Sequence, residues 1–332
     1  MKPKVMVSPG VRDDNPGLLE EKLSDIAEVV YGTFRDPKNI PSDIKDSEAM
    51  ILALEPINDE VLDNFPKLKI IARYGVGYDT VDVNACTKRG IYVTHTPGIL
   101  SHAVAELTIG LMLCLSRALI EADRYVRTEW AGPKGSRLKM GIDLYGKTLG
   151  IIGLGRIGYE VAVRARSFGM KIIYYDVERK YEAEKTLGAQ YVDLETLLRE
   201  SDFVSIHVPL TPQTRRLIGE KELRMMKPTA YLINTSRGAV VDEEALCRAL
   251  KEGWIAGAGL DVFVKEPLPL DSPLIGMRNV VLSPHIGTYT VETRRSMALM
   301  CIENVRAALM GMVPPNLVPE QRGMVFKRGA FS

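Results

Sequence analysis

Short apolar runs alternate with amphipathic stretches from one end of the chain to the other. The runs at 4–8, 49–54, 69–74, 91–94, 148–153, 171–176, 203–208, 230–235, 257–262 and 280–283 predict strands. The spacing of apolar positions predicts helices over 16–27, 156–168, 194–200 and 242–252. Strands separated by helices of this length need right-handed crossovers and therefore pair in parallel. Two such sheets follow, one on each side of the stretch 129–144, where Gly132, Pro133, Gly135 and Gly141 mark a loop-like surface excursion. The apolar segment 101–117 is predicted to be a buried helix that opens the second domain, because it leads into that domain's first strand. The expected class is α/β, with two doubly wound parallel-sheet domains.

Length agrees, since 332 residues exceed what one hydrophobic core comfortably serves. The formal net charge of +1 and the interspersed charges argue against a nucleic-acid partner, which would need a clustered basic face. Within 104–115 the apolar run is interrupted by Glu106 and closed by Arg117, short of the roughly 20 residues a membrane span requires. Cys86, Cys114, Cys247 and Cys301 are scattered, with no metal-ligand or disulfide spacing, so neither metal nor membrane is expected, and the expected compartment is the cytoplasm. The polar tail 323–332 is expected to be poorly ordered.

Candidate chemistry begins at Gly153-Leu154-Gly155-Arg156-Ile157-Gly158, which follows a predicted strand and opens a predicted helix. In that context the three glycines serve a tight turn, the approach of a pyrophosphate to the backbone, and close helix–strand packing. The pyrophosphate would then meet the positive end of the helix. Asp176 ends the next strand, where a carboxylate binds the adenosine ribose hydroxyls and repels a 2′-phosphate. NAD is therefore expected over NADP, although Arg179 and Lys180 follow closely.

Two further strand ends carry reactive side chains. After 231–233 comes Asn234-Thr235-Ser236-Arg237-Gly238, which places Arg237 at the carboxyl edge of a parallel sheet, where ligands bind in open α/β folds. Its planar fork matches a carboxylate with two parallel hydrogen bonds. His285, one of four histidines, lies in a loop bracketed by Pro284 and Gly287, whereas His207 falls inside an apolar strand, as a core histidine would. Carbonyl reduction needs a proton at oxygen as hydride reaches carbon, and a histidine oriented by a carboxylate can deliver it. Glu266 is the candidate carboxylate.

These segments, with Arg73-Tyr74-Gly75-Val76-Gly77-Tyr78-Asp79, Val104–Thr108, Val208–Pro212 and Asp261–Pro267, resemble the D-isomer-specific 2-hydroxyacid dehydrogenases over about 4–319. The resemblance implies a Rossmann-like NAD domain over 101–288, inserted in a discontinuous substrate domain of 1–100 plus 289–332. It implies Arg237, Glu266 and His285 as catalytic residues, and Arg73, Val76, Gly77, Arg237 and His285 as substrate contacts. The implied NAD contacts are Thr108, Gly153, Gly155, Arg156, Ile157, Gly158, Asp176, Pro209, Thr214, Thr235, Ser236, Arg237, Asp261, His285 and Gly287. The helix from Ser101 is similar to one that crosses into a partner subunit, so a homodimer is expected.

Departures narrow the substrate. Formate dehydrogenases of the family carry glutamine at the position of Glu266, phosphite dehydrogenases lysine at that of Val76, and D-lactate types His-Gln-Ala-Phe at that of His285–Thr288. The remaining group resembles glyoxylate/hydroxypyruvate reductases and phosphoglycerate dehydrogenases. A second function class, a non-catalytic NAD(H) sensor like the corepressors that share these residues, is separated from it by turnover.

Overall fold

In the computed structural model the described residues are 2–34, 36–130, 138 and 140–324. The core of the loop-like stretch 129–144 and nearly all of the tail 323–332 lie outside them. The chain divides into two compact units, Met1–Leu100 with Tyr289–Ser332, and Ser101–Thr288.

The first unit is built on strands β1 (Lys4–Val7), β2 (Glu28–Tyr31), β3 (Ala49–Leu52), β4 (Ile70–Arg73) and β5 (Tyr92–Thr94). They pair in parallel in the order β2-β1-β3-β4-β5. Met6, Met50, Leu52, Ile71 and Val93 form one side of its core with Phe65 and Val318. The long helix Val291–Leu309 returns to this sheet and buries Met297, Cys301 and Val305.

The second unit carries β6 (Thr148–Ile152), β7 (Lys171–Tyr175), β8 (Gln190–Tyr191), β9 (Phe203–Ile206), β10 (Tyr231–Asn234), β11 (Gly257–Leu260) and β12 (Val280–Leu282). All pair in parallel, in the order β12-β11-β10-β9-β6-β7-β8. The order reverses between β6 and β9, and that switch point opens the crevice in which such sheets bind ligands. Both faces are covered, which is why the strands read as continuous apolar runs without alternation. The helix Ser101–Ser116 packs on one face against the helix Arg156–Ser167 and against β10 and β11.

Among the described residues no single helix is long and apolar enough to cross a membrane. The bent pair Ser101–Ser116 and Leu119–Thr128 has sufficient combined length and apolarity, but Ala105, Thr108, Ile109, Leu111 and Met112 of its first helix are buried inside the second unit.

The structure adds two strands that apolar runs did not mark. β2 is an edge strand with only partial burial, and β8 has two residues, so neither produces a sustained apolar signal. The predicted helix 16–27 is shorter, Leu18–Leu23, because Gly17 adopts a left-handed conformation before it and the chain turns into β2 after it. Most strands also stop one or two residues before their predicted carboxyl ends, including β9, which ends at Ile206 and leaves His207 in the following turn.

Phe203 is fully buried at the centre of the larger sheet and stacks on Tyr231 with ring centroids 5.2 Å apart. Truncation to alanine removes this contact and leaves a cavity. Phe203→Ala should lose roughly 3–5 kcal/mol of stability, seen as a lower urea midpoint at an unchanged slope.

Candidate active site

At the switch point the chain leaves β6 through Gly153, whose φ of +91° suits glycine, and enters the helix Arg156–Ser167 with Gly155 as N-cap. A Cβ on Gly158 would lie 2.2 Å from the Gly153 carbonyl oxygen, so the helix can start this close to the strand only with glycine there. A Cβ on Gly155 would meet no protein atom within 4 Å. The last glycine is thus required by the fold, whereas a side chain at Gly155 would find open space. There the unpaired N–H groups of the first turn, including those of Arg156 and Ile157, favour an anion.

Asp176 stands one residue beyond β7 and is half-buried. Its Oδ2 accepts the Leu154 N–H at 2.8 Å, which ties the carboxylate to the glycine turn itself. A phosphate cradle with an acid fixed beside it fits a dinucleotide with free ribose hydroxyls. Around the same edge, Thr214 donates to the Pro209 carbonyl at 2.6 Å and closes the loop after β9. The hydroxyls of Thr108 and Thr235 lie 3.0 Å apart, joining the buried helix to the end of β10. His207, whose pKa desolvation lowers to about 3, is neutral and bonds to Ser205 at 2.8 Å.

His285 and Glu266 meet beyond the ends of β12 and β11. His285 Nδ1 lies 2.7 Å from Glu266 Oε2, with side chains 33% and 28% exposed. The other carboxylate oxygen, Oε1, accepts the Phe263 N–H at 3.0 Å, so Glu266 is anchored to its own loop. Burial would raise the Glu266 carboxyl, but the hydrogen bond and charge of His285, the Phe263 N–H and the charge of Arg237 together hold it below the ordinary carboxylate range. Glu266 is therefore ionised at neutral pH and can only accept, so the imidazole proton facing it sits on Nδ1 and Nε2 is left for exchange.

His285 takes φ +56°, a conformation few non-glycine residues adopt, and Asp261 holds it there. Asp261 Oδ1 accepts the Ser283 hydroxyl at 2.6 Å and the Ile286 N–H at 2.8 Å, and Oδ2 accepts the Gly287 N–H at 2.9 Å. Its carbonyl accepts the His285 N–H at 2.8 Å. Burial pushes the Asp261 carboxyl up, against the pull of these donors and of His285.

Arg237 follows β10 and donates through Nη1 to the Ser236 carbonyl at 2.8 Å. Buried Asn234 shapes this turn, donating to the Arg237 carbonyl and accepting from the Ser236 N–H and hydroxyl. Next to it, a Cβ on Gly238 would lie 2.0 Å from the Phe263 carbonyl carbon. Only glycine lets the loop that carries Glu266 pass this near to the loop that carries Arg237.

In the first unit, Arg73 ends β4, is 3% exposed, and donates to the Glu55 carbonyl at 3.5 Å. Val76 and Gly77 lie in the turn after it. The Val76 carbonyl is 3.0 Å from His95 Nδ1, and the Gly75 carbonyl accepts the Thr96 N–H.

Residues 109–287 match the family described as D-isomer specific 2-hydroxyacid dehydrogenase, NAD binding domain. The glyoxylate reductase of Korarchaeum cryptofilum is 50% identical over 328 residues, 97% of each chain. The chain belongs to the D-isomer-specific 2-hydroxyacid dehydrogenase family. Among solved structures, the D-lactate dehydrogenase of Aquifex aeolicus, complexed with NAD and lactic acid, is 33% identical with a TM-score of 0.84, covering 95% of this chain and 98% of that one. The NADPH-dependent glyoxylate/hydroxypyruvate reductase of Sinorhizobium meliloti is likewise 33% identical at a TM-score of 0.84, covering 96% and 98%. This family member is an NAD-dependent oxidoreductase that interconverts a 2-oxo acid and its 2-hydroxy acid. The sensor alternative finds no support in these comparisons.

For the dehydrogenase site, the structure brings Glu266 against His285 and sets Asp261 and Gly287 beneath them. Reading the sequence missed Asn234 and Ser283, which orient the two reactive loops. Each is a polar residue at the end of an apolar strand, and that was the available signal. Replacing Asp261 with alanine strands three donors at once, the Gly287 N–H buried and the Ser283 hydroxyl and Ile286 N–H half-buried, and a buried orphan costs about 1–3 kcal/mol. Asp261→Ala should lower stability by about 1–3 kcal/mol in thermal unfolding, with reductase activity lost alongside.

Proposed function

We propose that the chain reduces a small 2-oxo acid, glyoxylate foremost, with NADH, and that Arg237, Glu266 and His285 carry the chemistry on its side. The observation that supports this most directly is the 2.7 Å contact between His285 and Glu266 at the carboxyl edge of the larger sheet. When bound, the nicotinamide supplies or accepts the hydride. The Arg237 guanidinium presents a planar fork to the substrate carboxylate and fixes the carbonyl beside it. As negative charge develops on the carbonyl oxygen, His285 Nε2 donates its proton there, and Glu266 compensates the imidazolium that exists before transfer. In the reverse direction neutral His285 removes the hydroxyl proton.

The name of the Korarchaeum relative supports glyoxylate, and hydroxypyruvate is the next substrate to test. We further propose a cytoplasmic homodimer. Leu119, Ile120 and Val126 on the helix Leu119–Thr128, with Trp130 just after it, form an exposed apolar group that a second copy would cover. Turnover of 2-oxo acids with NADH and NADPH tests the proposal. NADH should be favoured in kcat/KM by at least about tenfold, near 1.4 kcal/mol, and no turnover of any 2-oxo acid would overturn it.

The proton step has its own signature. Reduction draws on imidazolium and oxidation on imidazole, so reduction should fade and oxidation strengthen as pH rises. A lowered Glu266 carboxyl keeps the pair intact above the ordinary value of about 4.5, and the pair is lost only as pH falls through the lowered value. Glu266→Gln removes the carboxylate that accepts the Nδ1 proton and orients the ring, so kcat for reduction should fall with NADH binding retained. His285→Ala should lose roughly 10²–10⁴ in kcat. A Glu266→Gln variant with wild-type kcat would mean that Glu266 does not position the proton donor.

A further inference from the structure

The turn after β7 carries two cations close to the position that reads the cofactor's ribose. Arg179 and Lys180 lie three and four residues beyond Asp176, and a guanidinium there is a natural partner for a 2′-phosphate. The structure engages both with acids of their own surroundings. Lys180 Nζ pairs with Glu178 at 3.1 Å. Arg179 makes a two-point pair with Glu184, Nε to Oε1 at 2.8 Å and Nη2 to Oε2 at 2.9 Å.

Glu184 is held in place in turn. It stands on the helix Tyr181–Leu187, and the Tyr174 hydroxyl donates to its Oε1 at 2.8 Å. The same hydroxyl accepts the Lys180 N–H at 2.7 Å, so one buried phenol ties the turn to the carboxylate. The Arg179 guanidinium also lies over the rings of Tyr181 and Tyr191, 5.1 and 5.8 Å from their centroids. Tyr191 donates to the Asp176 carbonyl at 3.3 Å, which fixes this platform to the ribose-reading acid. The bonds from Arg179 and then Tyr174 hold the Glu184 carboxyl below its usual range.

We propose that Glu184 is a specificity-determining residue, which discriminates against NADP by holding Arg179 in a two-point pair away from the 2′-position of the adenosine ribose. Selectivity then rests on two carboxylates with different tasks. Asp176 meets the free hydroxyls, and Glu184 occupies the cation that would otherwise welcome a phosphate. An isolated surface pair would be too weak for this. Here the planar geometry, the Tyr174 anchor and the two aromatic faces reduce the entropy lost in holding the pair together. The inference rests on the assignment of Asp176 to the ribose.

Titration calorimetry with AMP and with adenosine 2′,5′-bisphosphate isolates the 2′-phosphate without requiring turnover. Wild type should bind AMP in preference to the bisphosphate. Glu184→Gln keeps the side chain's length and its bond from Tyr174 but removes the charge. It should tighten bisphosphate binding roughly threefold to tenfold, the scale of one exposed charge-assisted contact, with AMP unchanged within about twofold. The gain should vanish in Glu184→Gln combined with Arg179→Ala. Tyr174→Phe, which loosens Glu184 without altering its charge, should produce a smaller gain and serves as the check if Glu184→Gln unfolds. An unchanged bisphosphate-to-AMP ratio in both folded variants, or a gain that survives loss of Arg179, overturns the role of Glu184 alone. A wild-type preference for the bisphosphate overturns the assignment of Asp176 and the inference with it.

Discussion

The carboxylate of Asp261 is the constraint on which the reactive part of the second unit depends. One buried acid at the end of β11 collects the hydroxyl of Ser283 and the amides of Ile286 and Gly287, while its carbonyl takes the amide of His285. A left-handed histidine is not a conformation the chain would choose unaided. With β11 and β12 in register beneath it, the loop has one arrangement that satisfies all these donors, and that arrangement sets the imidazole against Glu266. The energy that orients the His285 imidazole is thus drawn from a buried hydrogen-bond network behind the site, leaving Nε2 uncommitted.

The parallel architecture was legible because strands covered on both faces are continuously apolar, and the helices between them have a clear period. The dinucleotide turn was legible because its glycines came with a strand before and an acid after. β2 and β8 were not, since an edge strand of partial burial and a two-residue strand give no run to detect. The overshoot of strands such as β6, β7, β9, β10 and β11 at their carboxyl ends has one cause. The backbone turns outward there to form the ligand edge, so Gly153, Asp176, His207, Thr235 and Asp261 fall past the strand ends, and hydropathy does not register a change of direction.

At the level of the site, Arg237, His285 and Glu266 could be named from residue type and loop context. Contact between Glu266 and His285 could not, because they lie 19 positions apart across loop and strand and only the pairing of β11 with β12 brings them together. Asn234, Ser283 and Glu184 escaped for a related reason. Each acts through a neighbour's orientation, and a side chain whose effect is indirect has no spacing signature of its own. Arg179 shows the cost of that blindness: by sequence it weakens the case for NAD, whereas in the fold it is engaged by Glu184 and two tyrosine rings.

Gly238 has a further consequence. Because its missing side chain lets the backbone at Phe263 pass within contact distance, the loop after β10 and the loop after β11 pack backbone against backbone. Arg237 and Glu266 therefore sit on loops in direct backbone contact. Insertions and deletions, the ordinary way in which α/β enzymes acquire new substrates at this edge, would disturb both residues at once if they fell in either loop. Diversification of substrate range on this scaffold is thereby steered away from this edge of the second unit, toward segments whose length can change without moving Arg237 or Glu266.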